Sequence, residues 1–329
     1  MSTEPIEPAV AAVGLRKSFG DQVVLDGIDL HVAEGTVFSL LGPNGAGKTT
    51  TVQILSTLIG ADGGEARVAG HDLARDPDSV RAAIGVTGQF SAVDNLLTGE
   101  ENLILMADLH HLSRGEGRRR AAELLRRFDL VDAARKTAAT YSGGMRRRLD
   151  LAMSLVGDPR IIFLDEPTAG LDPRSRRTVW QIIRDLVAGG VTIFLTTQYL
   201  EEADQLADRI AVLDQGRLVA EGTAEELKRL IPGGHVRLRF ADARGLDAAA
   251  RALGEASRDD DALTLQVPSD GGVRSLRALL DRLDAASIEV DELSVHTPDL
   301  DDVFLALTGR TDNARTDKAR TDKAKVTAR

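Results

Sequence analysis

The chain has 329 residues, no cysteine and a formal net charge of -10 at pH 7. This length allows one domain of roughly 200 residues and a smaller second one, because a single core rarely grows beyond about 250 to 300 residues. The acidic balance argues against a protein whose whole surface is built to bind nucleic-acid phosphates, while local basic patches stay open as an alternative. No nucleic-acid partner is expected. The lack of cysteine excludes disulfides and thiolate metal sites.

The N-terminal sequence contains no basic segment followed by an apolar core, so it does not predict a signal peptide. No run approaches the roughly 18 to 20 consecutive apolar residues that a membrane-spanning helix needs. We therefore expect a protein without a membrane span, which can still bind to a membrane protein.

Between residues 10 and 230, short apolar runs alternate with longer segments of helical period. This pattern predicts an α/β domain with a mostly parallel core sheet, an antiparallel β part and covering helices. The composition of residues 214–216 predicts a hairpin turn. Residues 91–140 are mainly helical in pattern and predict a helical lobe. The clearest predicted strands are residues 36–42, 160–166, 191–197 and 209–222.

The turn-rich residues 231–234 predict a domain boundary. Over residues 234–309 the elements are predicted in the order β-α-β-α-β-α, which indicates a small α+β accessory domain of ferredoxin-like character. Residues 310–329 repeat a polar, basic unit and predict a disordered tail. Residues 1–9 are a short N-terminal extension.

Residues 42–50 match the pattern G-x-x-x-x-G-K-[ST] between a predicted strand and a predicted helix that begins near Lys48. The glycines let successive backbone N–H groups face a phosphate, and the helix N-terminus adds partial positive charge. Lys48 is predicted to reach the β and γ phosphates of ATP, and Thr49 to bind Mg²⁺. The predicted nucleotide-binding residues of this P-loop are Gly42, Pro43, Asn44, Gly45, Ala46, Gly47, Lys48, Thr49 and Thr50.

Asp165 and Glu166 follow an apolar run, at the carboxyl end of a predicted strand. Ligands of open α/β sheets bind at such strand ends. We interpret Asp165 as part of a Mg²⁺ shell and Glu166 as the catalytic group that polarises a water for attack on the γ phosphate. The alternative, two solvated carboxylates, is disfavoured by the P-loop in the same chain.

Ser142, Gly143 and Gly144 precede a predicted helix and offer a hydroxyl and bare backbone N–H groups to an anion. An ordinary serine N-cap is the alternative interpretation. A second anion site is redundant beside a P-loop unless it serves the nucleotide of another copy. These residues therefore favour a homodimer.

The P-loop is followed in order by YSGGM at 141–145, IIFLDEP at 161–167 and AGLD at 169–172. This set resembles the ATP-binding subunit of ABC transporters over residues 10–230. The resemblance implies a P-loop NTPase fold, ATP and Mg²⁺ as ligands, and ATP hydrolysis coupled to transport. It also implies a homodimer that binds an integral membrane permease at the cytoplasmic face of the cell membrane.

The same resemblance assigns roles to individual residues. Phe19 matches the aromatic residue that stacks on adenine, although a core or surface phenylalanine is the alternative. Gln89 matches the glutamine that joins the Mg²⁺ and water shell to the docking groove of the permease. The signature serine and glycines match the segment that covers the γ phosphate bound by the opposite copy. Asp172 matches the loop residue that links the two sites across the dimer.

Two departures from the family pattern change the expected contacts. Tyr141 and Met145 stand where the family signature usually has leucine and glutamine, so one polar contact to the partner's nucleotide is expected to be missing. Gln198 stands where the family usually has a histidine that contacts the γ phosphate. A glutamine amide can donate a hydrogen bond but cannot become cationic. We expect Gln198 to sense the γ phosphate as a neutral donor, the alternative being a helix-capping surface residue.

Two sequence segments indicate a narrower family within this superfamily. TTQYLEEADQLADRI at 196–210 and DLDDVFLALTG at 299–309 look like the daunorubicin/doxorubicin resistance ATP-binding family of drug exporters. This implies a subunit that energises export of a drug or antibiotic, such as an anthracycline, by ATP-driven dimer closure. The alternatives are an exporter of a lipid, polysaccharide or ion, a non-transport ABC ATPase, and a nucleotide-binding regulator that does not hydrolyse ATP.

Two runs of three arginines, residues 118–120 and 146–148, lie on predicted helices. Runs of like charge usually form solvated faces, so both are predicted to be exposed. The alternative for each run is one arginine that contributes to dimer contacts or docking.

Overall fold

A computed structural model describes residues 7–88, 92–230, 234–254, 256–270, 272–296 and 298–308. The chain divides into two units between Ala224 and Glu225. The predicted tail at 310–329, most of the N-terminal extension, and Gln89 lie outside the described residues. The domain boundaries predicted from the sequence therefore stay predictions.

A six-stranded sheet forms the centre of the first unit. Its strands are β3 (Val37–Leu41), β6 (Ile84–Thr87), β7 (Ile161–Asp165), β8 (Thr192–Thr197), β9 (Arg209–Asp214) and β10 (Arg217–Gly222). They lie in the order β10-β9-β3-β8-β7-β6, and every neighbouring pair is parallel except the hairpin β9-β10. β3 and β7 are buried along their whole length and are mostly apolar, which is typical of parallel strands covered by helices.

A second, antiparallel sheet belongs to the same unit. It consists of β1 (Val10–Phe19), β2 (Gln22–Val32), β4 (Gly63–Val68) and β5 (His71–Asp72), in the order β2-β1-β4-β5. The turn between β9 and β10 has positive φ at Gln215 and Gly216, as a two-residue hairpin turn requires. The predicted fold class and the predicted hairpin are therefore confirmed.

Helices cover the sheets of the first unit, and we call those between residues 99 and 140 the helical region. One hydrophobic core of the unit includes Leu103, Leu124 and Phe128 of this region. The helices are α1 (Lys48–Leu55), α2 (Pro77–Ala83), α3 (Gly99–Leu109), α4 (Arg114–Arg127), α5 (Gly143–Ser154), α6 (Pro173–Ala188) and α7 (Leu200–Leu206), with short 3₁₀ turns at Val131–Ala133 and Ala138–Thr140.

The second unit contains a four-stranded antiparallel sheet and its own apolar core. A short helix α8 (Ala224–Lys228) spans the division between the units. The elements after it are β11 (His235–Arg239), α9 (Ala243–Leu253), β12 (Ser257–Asp259), β13 (Thr264–Pro268), α10 (Val273–Ala285), β14 (Glu292–His296) and a helix over residues 300–308. The strand order β12-β13-β11-β14 and the β-α-β-β-α-β chain order are those of a ferredoxin-like fold. The strand β12 was missing from the predicted order.

Candidate functional site

The P-loop connects β3 to α1 and is closely packed at two of its glycines. A Cβ at Gly42 would lie 2.3 Å from the carbonyl oxygen of Leu213, and a Cβ at Gly47 would lie 2.7 Å from Leu25. Gly47 also has φ of +110°, a conformation that disfavours other residues. Only glycine fits at either position. Of the other loop residues before and after Lys48, Ala46 is buried, Pro43 and Thr50 are half-buried, and Asn44, Gly45 and Thr49 are exposed.

Lys48 is the buried cation of this loop. Its side chain is 5% exposed and its Nζ donates to the carbonyl oxygens of Gly42 at 2.8 Å and Pro43 at 3.0 Å. Nζ also lies 3.6 Å from Oε1 of Glu166. Burial lowers the pKa of Lys48, while Glu166 and then Asp165 oppose that shift. The structure thus brings together the P-loop and both predicted strand-end carboxylates.

Asp165 and Glu166 are fixed by the neighbouring strand β8. The hydroxyl of Thr196 donates to one carboxylate oxygen of Asp165, which is buried. The backbone N–H of Glu166 donates to the carbonyl of Thr196 at 3.1 Å and to its hydroxyl at 3.2 Å. Glu166 has φ of +48°, a left-handed conformation that costs a non-glycine residue about 1 to 3 kcal/mol. The surrounding contacts must stabilise this conformation.

Ser142, Gly143 and Gly144 start helix α5. Ser142 is its N-cap, and its Oγ accepts from the N–H of Met145 at 3.3 Å. Ser142 and Gly143 are exposed, whereas a Cβ at Gly144 would lie 2.5 Å from Oγ of Ser175. The ordinary capping role is therefore present, and it leaves the Ser142 hydroxyl at the surface for a further partner.

Asp172 caps the next helix, α6. Its side chain accepts from the N–H groups of Arg174 and Ser175, both at 3.0 Å, and from the Ser175 hydroxyl at 2.6 Å. The hydrogen bond from the Ser175 side chain is the main cause that lowers the pKa of Asp172. Because Ser175 also packs on Gly144, the loop of Asp172 and the start of α5 form one contact region.

Phe19 and Gln198 lie at the ends of strands near the surface. Phe19 ends β1, is 53% exposed, and has Nζ of Lys17 at 5.4 Å from its ring centroid. An exposed ring of this kind is open to stacking. Gln198 is half-buried directly after β8. The N-cap of the following helix is Tyr199, and this cap lacks a side-chain hydrogen bond, so Gln198 is not the capping residue.

Tyr141, one of the two signature departures, lies inside the helical region. It is buried, its hydroxyl donates to the carbonyl of Ala133 at 2.7 Å, and burial raises its pKa. A Cβ at Gly99 would lie 2.2 Å from this hydroxyl. The tyrosine is thus part of the internal packing. Met145, the second departure, is half-buried and packs against the same core.

The prediction that residues 146–148 form a solvated face is wrong, because Arg146 and Arg148 are half-buried and Arg147 is buried. The Arg147 side chain has four hydrogen-bond acceptors, because α5 packs it against the ends of β6 and β7. Burial lowers the pKa of Arg147, and the negative charge of Asp150 is the largest effect that opposes this. In the arginine run at residues 118–120, Arg120 donates hydrogen bonds to the carbonyl of Leu155 and to the carboxylate of Asp158.

Glu202 is a buried carboxyl group that the sequence did not single out. Its side chain is 0% exposed and accepts from the hydroxyl of Thr168 at 2.8 Å and the indole N–H of Trp180 at 3.1 Å. Burial raises the pKa of Glu202, and the hydrogen bonds from Thr197, Thr168 and Trp180 oppose this without cancelling it. Glu202 thereby ties α7 to the loop after β7 and to α6.

A Glu202→Gln variant is expected to lose part of the pH dependence of folding. Because the folded-state pKa of Glu202 is raised, the folded chain binds more protons than the unfolded chain, and stability falls as pH rises from the ordinary carboxyl range through the folded pKa. Glutamine does not titrate, so the variant lacks this contribution to the pH dependence of the free energy of unfolding. Urea unfolding between about pH 5 and pH 8 measures it, with Glu201→Gln as an exposed neighbouring control. Equal slopes in wild type and Glu202→Gln would contradict the expectation.

Comparisons with known proteins identify the class. A sequence profile described as "ABC transporter" matches residues 25–169. The structure of an ATP-binding subunit of an ABC transporter superposes with a TM-score of 0.61 at 30% identity, covering 68% of this chain and 92% of that one. A dimeric ATP-binding cassette in a post-hydrolysis state with ADP and Pi superposes with a TM-score of 0.59 at 28% identity, covering 65% and 98%.

Relatives align over almost the whole chain. The chain is 51% identical over 305 residues to a daunorubicin resistance ATP-binding protein of Streptomyces coeruleorubidus, covering 92% of this chain and 96% of that protein. It is 50% identical over 314 residues to the daunorubicin/doxorubicin resistance ATP-binding protein of Streptomyces peucetius, covering 94% of each. It is 33% identical over 306 residues to a linearmycin resistance ATP-binding protein of Bacillus subtilis, covering 91% and 98%.

The P-loop geometry and these matches define an ATP-binding ABC transporter subunit, an ATPase, and confirm the resemblance of the motifs. More narrowly, the chain belongs to the family of daunorubicin/doxorubicin resistance ATP-binding proteins, because relatives with 50% and 51% sequence identity align over more than nine-tenths of it. Among the described residues, no helix has both the length and the apolar character that crossing a bilayer requires.

Proposed function

We propose that the chain binds ATP with Mg²⁺ between the P-loop and the carboxyl end of β7, and that Glu166 is the base for attack of water on the γ phosphate. The observation that carries this proposal is the distance of 3.6 Å between Nζ of Lys48 and Oε1 of Glu166. It places a base next to the cation that is predicted to reach the β and γ phosphates. A carboxylate within reach of the transferred group is what activation of a water molecule needs.

The residues present fit a magnesium ion bound together with the nucleotide. Asp165 supplies a buried carboxylate, with one oxygen engaged by Thr196, and Thr49 supplies an exposed hydroxyl at the start of α1. Within the described part of the chain no cluster of three or more carboxylate or histidine side chains could hold a metal alone. Mg²⁺ usually takes few protein ligands and several phosphate or water oxygens. When bound, the ion would neutralise charge on the phosphates.

The chain's own residues would divide the work of hydrolysis. Lys48 exchanges its contacts with the loop carbonyls for phosphate oxygens, and backbone N–H groups of the loop hold the same phosphates. Glu166 accepts the proton of the attacking water. Gln198 donates a hydrogen bond to the γ phosphate from the end of β8, and Phe19 stacks on the base.

We further propose that two copies close around two ATP molecules. Within the described residues no hydrogen bond joins Ser142 to the P-loop of its own chain, and the hydroxyl is at the surface. The helix start therefore supports contact with a nucleotide held by a second copy. The similar dimeric cassette supports the same arrangement. ATP would drive closure because it binds the closed pair better than the open one.

The proposed partner is an integral membrane permease at the cytoplasmic face of the cell membrane, with Gln89 at the docking region. The proposed cargo is a drug or antibiotic of the anthracycline type, because the half-identical relatives carry daunorubicin resistance in their names. A different cargo is the second candidate, since a whole-chain relative at 33% identity is named for linearmycin resistance.

Dimer closure is tested with the full-length Glu166→Gln chain, which we expect to retain bound ATP because its hydrolysis is slow. With ATP and Mg²⁺, light scattering is expected to give twice the mass found without nucleotide. Adding the Ser142→Tyr substitution puts a large side chain at the exposed start of α5. This should block dimer formation and keep the protein monomeric. A Glu166→Gln chain that stays single under every nucleotide condition would overturn the proposed closure.

Gln198→Ala is expected to slow ATP hydrolysis by about 5- to 150-fold, the equivalent of the roughly 1 to 3 kcal/mol that loss of a buried hydrogen-bond partner costs. Gln198→His restores an N–H donor and should recover most of the rate. Gln205→Ala, an exposed glutamine at the other end of α7, is the matched control. Phosphate release at saturating ATP measures the effect. A Gln198→Ala rate equal to wild type, with unchanged ATP affinity, would show that Gln198 does not contact the phosphate.

A further inference from the structure

The guanidinium group of Arg147 joins the signature helix α5 to two strands of the central sheet. Its Nε donates to the carbonyl of Pro167 at 2.7 Å, and its Nη2 donates to the carbonyl of Asp165 at 3.3 Å. Its Nη1 donates to the carbonyl of Gly88 at 3.1 Å. Three backbone carbonyls after β6 and at the end of β7 are thus held by one side chain that is 9% exposed.

Two of these carbonyls belong to the residues on either side of Glu166. The N–H of Glu166 is held by Thr196 of β8, so its backbone is fixed from two directions. Glu166 also has φ of +48°, an unfavourable conformation that persists only where neighbours determine it. The Arg147 contacts are among the interactions that hold the backbone of Glu166 in this conformation.

Asp150 holds Arg147 in place from one turn further along α5. Its Oδ2 accepts from Nη1 of Arg147 at 3.2 Å, and its Oδ1 accepts from the N–H of Ala92 at 3.1 Å. The pair therefore bonds residues on both sides of residues 89–91, which lie outside the described residues. The two side chains form a buried ion pair.

We propose that Arg147 is a positioning residue for Glu166, held by Asp150, which couples the signature helix to the catalytic carboxylate. The inference rests on the proposed function, in which Glu166 is the base. A planar guanidinium can donate to carbonyls in fixed directions at once, whereas a lysine ammonium is a compact point charge on a flexible stem. Movement of α5 on dimer closure would be transmitted through the N–H donors of the Arg147 guanidinium to the backbone carbonyls on either side of Glu166.

Arg147→Lys in the full-length chain tests the proposal. Lysine keeps the positive charge that pairs with Asp150, but it lacks the planar set of N–H donors that the guanidinium directs at the carbonyls. We expect kcat for ATP hydrolysis to fall about 10-fold or more, because small misplacements of a catalytic group cost up to about 100-fold, and KM to stay within about twofold. Arg148→Lys is the matched control: Arg148 lies on the same helix but donates to Phe128 and Asp129, and its rate should stay near wild type.

The same substitution is then measured in the Glu166→Gln background. If Arg147 acts through Glu166, Arg147→Lys has no further effect there, because the two changes are not additive. Equal fold-losses in both backgrounds, or a wild-type rate for Arg147→Lys, would overturn the inference while the proposed function stands. A wild-type rate for Glu166→Gln alone would overturn both.

A second variant addresses loss of folding. If Arg147→Lys does not fold, Arg147→Gln combined with Asp150→Asn removes both buried charges together and is measured in the same way. This pair should fold, with kcat reduced about 10-fold or more and KM within about twofold. A folded double variant with the wild-type kcat would overturn the inference.

Discussion

Glu166→Gln is expected to slow ATP hydrolysis by about 10²- to 10⁴-fold, the range that a general base contributes. Glutamine keeps the shape of the side chain but cannot accept a proton from the attacking water. Its amide can remain close to Lys48, which lies 3.6 Å from the carboxylate, so the P-loop should keep its geometry. ATP affinity is therefore expected to stay within about threefold. Steady-state phosphate release and equilibrium ATP binding measure the two quantities.

Glu123→Gln provides a control of the same chemistry outside the site. Glu123 lies on α4, 49% exposed and paired with Arg120, and its replacement should leave both quantities unchanged. A Glu166→Gln chain that hydrolyses ATP within about twofold of wild type would show that another group is the base. A parallel fall in ATP affinity and in the unfolding temperature would instead place Glu166 among the residues that maintain the P-loop.

Much of the central sheet is predictable because β3, β7 and β8 each contain a short apolar run. β3, β7 and β8 are buried along their whole length, and the apolar runs predicted them within one or two residues. The order β10-β9-β3-β8-β7-β6 is not readable in this way, since it depends on pairings between distant segments. The strand β12 (Ser257–Asp259) gives no local signal because all three of its residues are exposed.

In the candidate site, too, local motifs are predictable from the sequence, whereas contacts made by tertiary packing are not. The P-loop and the pair Asp165–Glu166 are local motifs, so sequence spacing finds them and the structure brings them together. Arg147 was missed because a run of three arginines looks like a charged surface, and only tertiary packing buries the middle one. Its spacing to Asp150, three positions along a helix, is the one signal that indicated a partner. Glu202 carries no such signal, since its donors come from Thr168 and Trp180.

Lys48→Met is expected to weaken ATP binding by about 10- to 150-fold, the equivalent of about 1.5 to 3 kcal/mol for a charge-assisted hydrogen bond. It should also reduce kcat, because the proposed function places this positive charge next to the γ phosphate, where it is needed most when charge develops in the transition state. Methionine has a similar length and no charge. Because Lys48 is the ion-pair partner of Glu166, its removal leaves a largely buried carboxylate unpaired, and the unfolding temperature is expected to fall as well. Nucleotide titration and thermal unfolding without nucleotide separate the two effects.

The control for this variant is Lys136→Met, which removes an exposed cation from the helical region. It should bind ATP as the wild type does, because a charge exposed to solvent and far along the chain from the loop is screened. If Lys48→Met lost affinity only together with its fold, the role of Lys48 would be to neutralise the carboxylate of Glu166. If it bound ATP normally, the phosphates would not lie at Nζ, and the placement of the γ phosphate between Lys48 and Glu166 would be wrong.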